Sequence, residues 1–319
     1  MATTAARTSS GTIAPPASRQ GAPWRTTIMA FLKRHPVLAY YVLTFAISWG
    51  GVLLLIGGPG SIPGTPAQIE RLIWFVVLTL ELGPPVAGLV LTGLLDGRAG
   101  YRELRARLLR WRVGARWYAV ALLTAPLLGA AVLLALSRTS PAYLPGILTT
   151  SDRASLLLPA IVAGLLGGFG EELGWTGFAT PRLRRRHGVL ATGLVVGVLW
   201  GVWHYLVTPA WIAGAYVGEL PLALFLTANG VLSLVGQLTA YRVLMGWVYD
   251  RTGSLLVTAL MHASLIASTL FLLAPVAMAG AVYVTWSVAL ATAFWVAVAA
   301  VAVANRGHLS RQPPRARVA

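Results

Sequence analysis

The sequence contains no cysteine and carries few charged side chains for its length. The absence of cysteine excludes disulfide bonds and metal sites built on thiolates. Charged residues make up 11% of the chain and hydrophobic residues 57%, whereas an ordinary soluble domain has about 25% charged residues. This balance predicts a membrane protein rather than a soluble globular domain.

Eight apolar runs are long enough to cross about 30 Å of hydrocarbon as helices. We therefore predict an all-α, polytopic membrane protein whose membrane domain covers residues 37–304. The predicted spans are approximately 37–56, 72–95, 116–136, 155–180, 188–210, 221–247, 253–273 and 277–303. The segments 1–36 and 305–319 are rich in small, polar and basic residues, and we predict them to be disordered cytoplasmic tails.

The formal net charge of +16 does not indicate a nucleic-acid partner, because the arginines cluster between the apolar runs. With the N-terminus in the cytoplasm, 22 Lys and Arg residues, Arg242 and Arg251 among them, fall on the cytoplasmic side. The opposite side holds Arg71, Arg138 and Arg153. The positive-inside rule thus predicts that both termini are cytoplasmic. We expect the chain to lie in the lipid bilayer of the cell's inner (plasma) membrane, which it crosses several times.

A few acidic and His residues fall within the predicted spans, where charged groups are costly and often functional. They are Glu81, Glu171, Glu172, His204 and His262. Neighbouring residues of a helix point about 100° apart, so one carboxylate of the Glu171–Glu172 pair can face a cavity while the other pairs elsewhere. The plainer alternatives are glutamates that face a water-filled groove, and histidines that only join helices through hydrogen bonds.

Glu81 lies beside a double proline that must interrupt its helix. It could pair with a group in the cavity or only hydrate the kink, and we expect no catalytic role for it.

Three segments, in this order, resemble the CPBP (CAAX protease and bacteriocin-processing) family of intramembrane proteases. They are GEELGWTGFATPRL, LWGVWH and LMHAS. The resemblance covers roughly residues 70–275 and is strongest between about 155 and 270. It places the catalytic core at about 155–275.

The first family motif has Arg four positions after the second Glu, where this chain has Thr176. The second has an aromatic residue four positions before a His, which Trp200 and His204 match. The third has Asn or Asp four positions after a His, but Ile266 follows His262 at that spacing. Two supporting residues of the family pattern are therefore missing.

The resemblance implies that Glu171 is the general base on a water molecule and that His204 helps to position or polarise that water. It further implies that His262 stabilises the oxyanion, that Glu172 is a structural or electrostatic partner, and that Trp200 packs against His204.

Arg182, one or two turns further on, could replace the missing Arg. Asn229 or Gln237 could supply the missing amide, as supporting residues of the site.

No cofactor is expected, but a zinc site made by Glu171, His204 and His262 is possible, because two His and a Glu can hold zinc with an open position. The His-Glu-x-x-His arrangement on one helix is absent.

The leading hypothesis is a CAAX-protease-like intramembrane endopeptidase, of glutamic or metal-dependent type. Its partner would be a membrane-anchored peptide or protein substrate. Two alternatives stay open. One is a catalytically weakened relative that binds a membrane partner or confers immunity to a bacteriocin, which the departures at Thr176 and Ile266 favour. The other is a proton-coupled transporter.

Overall fold

The computed structural model describes residues 23–275, 280–307 and 309–310, and the regular structure within them is helical, as predicted. The α-helices are α1 Pro23–Arg34, α2 Pro36–Ile56, α3 Pro66–Glu81, α4 Gly83–Leu108, α5 Ala115–Leu136, α6 Gly146–Thr149, α7 Ala154–Gly174, α8 Thr180–Leu183, α9 Val189–Tyr205, α10 Leu222–Ala228, α11 Leu238–Thr252, α12 Leu255–Ile266 and α13 Gly280–Ala304. Four π-helical segments continue them, namely Trp175–Ala179, Leu206–Trp211, Asn229–Gln237 and Ala267–Leu272.

Within the described residues, eight helical stretches are long and apolar enough to cross a membrane, which confirms the predicted number. They are Pro36–Ile56, Pro66–Leu108, Ala115–Leu136, Ala154–Leu183, Val189–Ala215, Leu222–Thr252, Leu255–Leu272 and Gly280–Ala304. An even number of crossings is consistent with the prediction that the two termini lie on one side of the membrane. That this side is the cytoplasm stays a prediction.

The predicted N-terminal tail is helical in the part that the structure describes, so the prediction of disorder up to residue 36 is wrong for Pro23–Arg34. Helix α1 has Ile28, Phe31 and Leu32 in its sequence and ends on Lys33 and Arg34, whose charges suit a helix C-terminus. Residues 1–22 and 311–319, which make up most of the two predicted tails, lie outside the described residues.

The double proline interrupts the second span, as the sequence predicted. Helix α3 ends at Glu81, and Pro84 and Pro85 lie in the first turn of α4, where the missing backbone N–H needs no partner. A second break follows at Gly97, whose φ of 57° lies in the left-handed region. The 43-residue stretch Pro66–Leu108 is therefore not one straight helix.

Two glycines let α7 approach its neighbours closely enough to place the glutamate pair against other helices. A Cβ at Gly168 would lie 2.7 Å from the backbone carbonyl oxygen of Ala259 on α12. A Cβ at Gly174 would lie 2.4 Å from the carbonyl oxygen of Pro84 on α4. Gly170 does not have this role, because a Cβ there would meet nothing within 4 Å.

Each helix that carries a motif changes from α to π geometry shortly after its motif residue. Helix α7 changes at Trp175, α9 at Leu206 and α12 at Ala267. Such segments are frequent at functional sites, because the wider turn shifts the register of the side chains that follow.

Candidate active site

Glu171 lies one turn before the end of α7 and is buried. Its Oε2 accepts hydrogen bonds from two indole groups, from Trp175 Nε1 at 2.9 Å and from Trp200 Nε1 at 2.6 Å. Its Oε1 lies 3.7 Å from Nε2 of His262. One oxygen is thus fixed by two donors, while the other faces an imidazole at a distance longer than a hydrogen bond.

Glu172, the next residue, is completely buried and accepts hydrogen bonds from three side chains. Arg242 Nη1 lies 2.7 Å from Oε1 and 2.9 Å from Oε2, and Nδ1 of His262 lies 2.9 Å from Oε1. The hydroxyl of Thr176 donates to Oε2. These contacts fit the predicted role of Glu172 as an electrostatic partner, and Arg242 gives its negative charge a buried counter-ion.

His262, on α12, joins the two carboxylates. Because a carboxylate only accepts hydrogen bonds, Nδ1 of His262 must carry the proton in its contact with Glu172. Nε2 then faces Glu171 Oε1. The imidazole of His262 thus lies between the two carboxylates.

Arg242 is the site residue that the sequence analysis missed, because it was counted only among the arginines of the cytoplasmic side. It is 2% exposed on α11, and its guanidinium carbon lies 4.2 Å from the centre of the Trp200 ring. The signal was a cation inside an apolar run, VLMGW on one side and LTAY on the other.

Arg182 does not take the place of the missing motif Arg. Its guanidinium contacts Asp96, donates to the carbonyl oxygen of Phe178 at 3.0 Å and lies over the Phe178 ring. The contacts of Arg182 within the described residues are thus directed away from Glu172. Arg242 reaches Glu172 instead, and it comes from another helix.

His204 is half-buried and lies beside the cluster without joining it directly. Its Nδ1 donates to the carbonyl oxygen of Trp200 at 2.9 Å, since that oxygen can only accept. Neutral His204 therefore presents Nε2 as an acceptor. Its ring meets Trp200 and Trp203 edge to face, with centroids 5.7 and 4.7 Å away.

Trp200 has more contacts than the predicted packing against His204. Its indole N–H donates to Glu171, its ring lies under Arg242, and it meets the ring of His262 at a centroid distance of 4.8 Å. Trp200 thus contacts the Glu171 carboxylate, the His262 imidazole and the Arg242 guanidinium.

Asn229 starts a π-helical segment beside α9 and is buried. Its Oδ1 has no hydrogen-bond partner among the described residues, and the same holds for Oε1 of Gln237. Gly230 packs against the ring of Tyr205, one residue after His204. Asn229 thus begins the segment that packs against α9, and its replacement of the missing amide stays a prediction.

Ile266 lies where the family pattern has an amide, and it borders the base. A Cβ built on Gly167 would lie 2.7 Å from Ile266 Cδ1 and 3.7 Å from Glu171 Oε1. The side chain therefore forms an apolar wall close to the free oxygen of Glu171.

Glu81, at the end of α3, lies close enough to Glu171 for their charges to interact. Its Oε2 is buried and has no partner among the described residues. The sequence left two possible roles for Glu81, pairing with a group in the cavity or hydrating the kink. Its position near Glu171 fits the first of these.

The donor set does not fit zinc. In the part of the chain that the structure describes, no three His, Asp or Glu side chains come close enough to hold a metal ion. Oε2 of Glu171 already accepts two indole N–H groups.

Residues 153–268 match the family described as type II CAAX prenyl endopeptidase Rce1-like. This match contains all three motifs and confirms the resemblance to CAAX proteases that the sequence indicated. No curated protein matches the chain.

Proposed function

We propose, from the match over residues 153–268 and the geometry of the buried cluster, that this protein is an intramembrane endopeptidase acting on a membrane-associated substrate. At the level of the family, the match supports a CAAX-protease-like membrane endopeptidase. The observation that carries the finer proposal is the chain of contacts from Glu171 through His262 and Glu172 to Arg242.

The charges of these four groups explain how two carboxylates can be ionised inside a membrane. Arg242 balances Glu172, and protonated His262 balances Glu171, so the set is neutral when the base carries its negative charge. A buried charge without a partner costs several kcal/mol, at least about 3. Arg242 thereby permits the form of the site in which Glu171 can accept a proton.

In the proposed reaction, Glu171 takes a proton from a water molecule, and the water oxygen attacks the carbonyl carbon of the scissile peptide bond. The carbonyl oxygen becomes an oxyanion, to which Nε2–H of protonated His262 donates. The C–N bond then breaks, and Glu171 returns its proton to the leaving amine. His204 contributes the acceptor Nε2, which suits it to orient the water.

The departure at Thr176 no longer favours a weakened, partner-binding relative, because Arg242 contacts Glu172 in place of the absent Arg. Thr176 itself also donates to Glu172. Position 266 still departs from the family pattern, because it carries Ile instead of the amide. Among the described residues, no other amide side chain contacts Glu171 or His262 in its place.

The proposal is tested with purified full-length protein in detergent and a library of quenched, membrane-anchored peptides, each with and without a prenyl group. We expect cleavage of at least one peptide class. If the folded protein cleaves no peptide of the library, the proposal is contradicted, and the result favours a catalytically weakened relative that binds a membrane partner.

Ile266→Asn is expected to raise kcat about tenfold, because it places an amide donor beside Glu171 Oε1, where one oxyanion donor is worth about 10²–10³ in kcat. The measurement is kcat on the cleaved peptide. Ile266→Leu is the matched control and should leave kcat unchanged. A kcat for the Asn variant no higher than that of the Leu variant would show that this position does not face the reaction.

Prolonged dialysis against 1,10-phenanthroline is expected to leave the rate unchanged, because the donor set does not fit zinc. The measurement is the initial rate before and after dialysis, together with the zinc content per chain. A rate that falls, returns with added zinc and follows one bound zinc per chain would refute the metal-free mechanism.

A further inference from the structure

A cavity of about 500 Å³ opens between the ends of α5, α11 and α13, at the Arg-rich side of the helix bundle. None of its lining residues belongs to the candidate active site. They are Arg116, Trp117, Val120, Trp247, Arg251 and Asn305.

The cavity wall offers positive charge and hydrogen-bond donors. Nη2 of Arg251 donates to Oδ1 of Asn305 at 2.6 Å, and Nδ2 of Asn305 donates to the carbonyl oxygen of Val301 at 2.6 Å. Oδ1 of Asn305 therefore already accepts a hydrogen bond within the cavity wall. Nε of Arg251 and Nε1 of Trp247 are covered and have no acceptor among the described residues.

A neighbouring cavity of about 350 Å³, on the other side of α11, differs in having acidic side chains in its wall. Its lining includes Glu103 and Asp250, which contact Arg107 and Arg184. The larger cavity has two arginines and, among the described residues, no carboxylate in its wall. It therefore has an uncompensated positive charge that suits an anion.

The aromatic residues of the cavity lie where a membrane protein meets the headgroups. Trp117 and Trp247 meet edge to face at 5.0 Å between centroids, and the guanidinium of Arg116 lies 5.3 Å from the centre of the Trp117 ring. Arg116 and Trp117 are at the start of an apolar span, the position at which Trp and Arg favour the membrane interface.

An apolar stripe leads from the cavity toward the middle of the bilayer. On α5, Leu123 and Leu127 follow Val120 at spacings of three and seven and so share its face. Their side chains are 48% and 62% exposed. Leu127 lies about 10 Å deeper than Val120 at 1.5 Å per residue. An acyl chain can thus follow this stripe while its headgroup is in the cavity.

We propose that this cavity binds the phosphate of an anionic phospholipid headgroup, with an acyl chain along Leu123 and Leu127. Arginine pairs with phosphate through two parallel N–H groups, and basic pockets between membrane helices at the cytoplasmic side suit such headgroups. The proposal does not depend on peptidase activity, because the cavity lies outside the motif helices α7, α9 and α12.

The test uses purified full-length protein, delipidated in detergent and titrated with phosphatidylglycerol, with bound lipid counted by native mass spectrometry. We expect one retained phosphatidylglycerol per chain. Arg116→Gln with Arg251→Gln should weaken its binding at least about tenfold, since hydrogen bonds to charged groups are worth more than neutral ones. Arg105→Gln removes the same charge from an exposed site outside the cavity and should change nothing.

Val120→Trp keeps the charge but fills the cavity, so it should abolish binding even if the double arginine variant folds poorly. A second titration with glycerol 1-phosphate separates the two sources of phosphate. Retained phosphatidylglycerol that excess glycerol 1-phosphate does not displace assigns the lipid. Binding of glycerol 1-phosphate alone, lost in the same variants, assigns a soluble phosphate ester and overturns the lipid proposal. Equal lipid retention in all variants, or no phosphate ligand bound by the wild type, overturns it as well.

Discussion

Glu171→Gln is expected to lower the rate of peptide cleavage by about 10²–10⁴-fold, the range attributed to a general base. The amide has nearly the shape of the carboxylate and can still accept one of the indole N–H groups that hold Glu171 Oε2. It cannot take a proton from water. The loss should therefore appear in kcat under single-turnover conditions, while the thermal midpoint of the protein changes little.

Glu70→Gln is the matched control, because Glu70 is an exposed glutamate on α3. It makes the same chemical change outside the cluster and should keep the wild-type rate. Cleavage by folded Glu171→Gln at the rate of the control would refute Glu171 as the base and, with it, the proposed mechanism.

Arg242→Met is expected to destabilise the folded protein by about 3–5 kcal/mol, because it leaves Glu172 as a buried charge without its cation. The same change should reduce cleavage, since Glu172 would then compete with Glu171 for the positive charge on His262. The measurements are the midpoint of denaturation in detergent and kcat at a temperature where the variant is folded. Arg105→Met, at an exposed position, controls for the loss of an arginine.

The double variant Arg242→Met with Glu172→Gln separates stability from activity. Removing both charges takes away the uncompensated carboxylate, so most of the stability should return. Activity should stay low, because a neutral amide in place of the Glu172 carboxylate cannot hold His262 in its protonated form. Stability of Arg242→Met equal to that of wild type would mean that the Arg242–Glu172 pair does not form.

The membrane helices could be predicted from the sequence because each span must satisfy its own backbone hydrogen bonds and bury about 20 apolar residues. Those two constraints act locally and leave a clear pattern. The breaks at Pro84 and Gly97 are local as well, although only the proline break was predicted. The helix Pro23–Arg34 was missed because its apolar residues are few and lie among Ala, Thr and Arg.

Only those residues of the candidate site that belong to local sequence motifs could be predicted. The glutamate pair and His262 lie in recognisable segments, and the structure brings them together. The partner of Glu172 was predicted within the same segment, at Arg182, because spacing along one helix was the available guide. Arg242 is 70 residues away in the chain, and its contact depends on how α11 packs against the neighbouring helices.

For His204, the sequence predicted the position in the chain but not the orientation of the side chain. Its place on α9, one turn after Trp200, indicated a shared site. The direction of its ring depends on a hydrogen bond to its own helix backbone, which the sequence does not reveal. That bond leaves Nε2 as the acceptor that the proposed role in orienting water requires, and the role itself stays a prediction.

The central claim is that a guanidinium beside Glu172 completes the catalytic cluster, whichever helix supplies it. The most direct test moves the guanidinium to the position of the family pattern, with Arg242→Ala to make room and Thr176→Arg to restore the charge. The measured quantity is kcat of the double variant relative to Arg242→Ala alone. We expect about a tenfold recovery or more, the equivalent of one hydrogen bond to a charged group. A double variant that folds but is no faster than Arg242→Ala would contradict the claim.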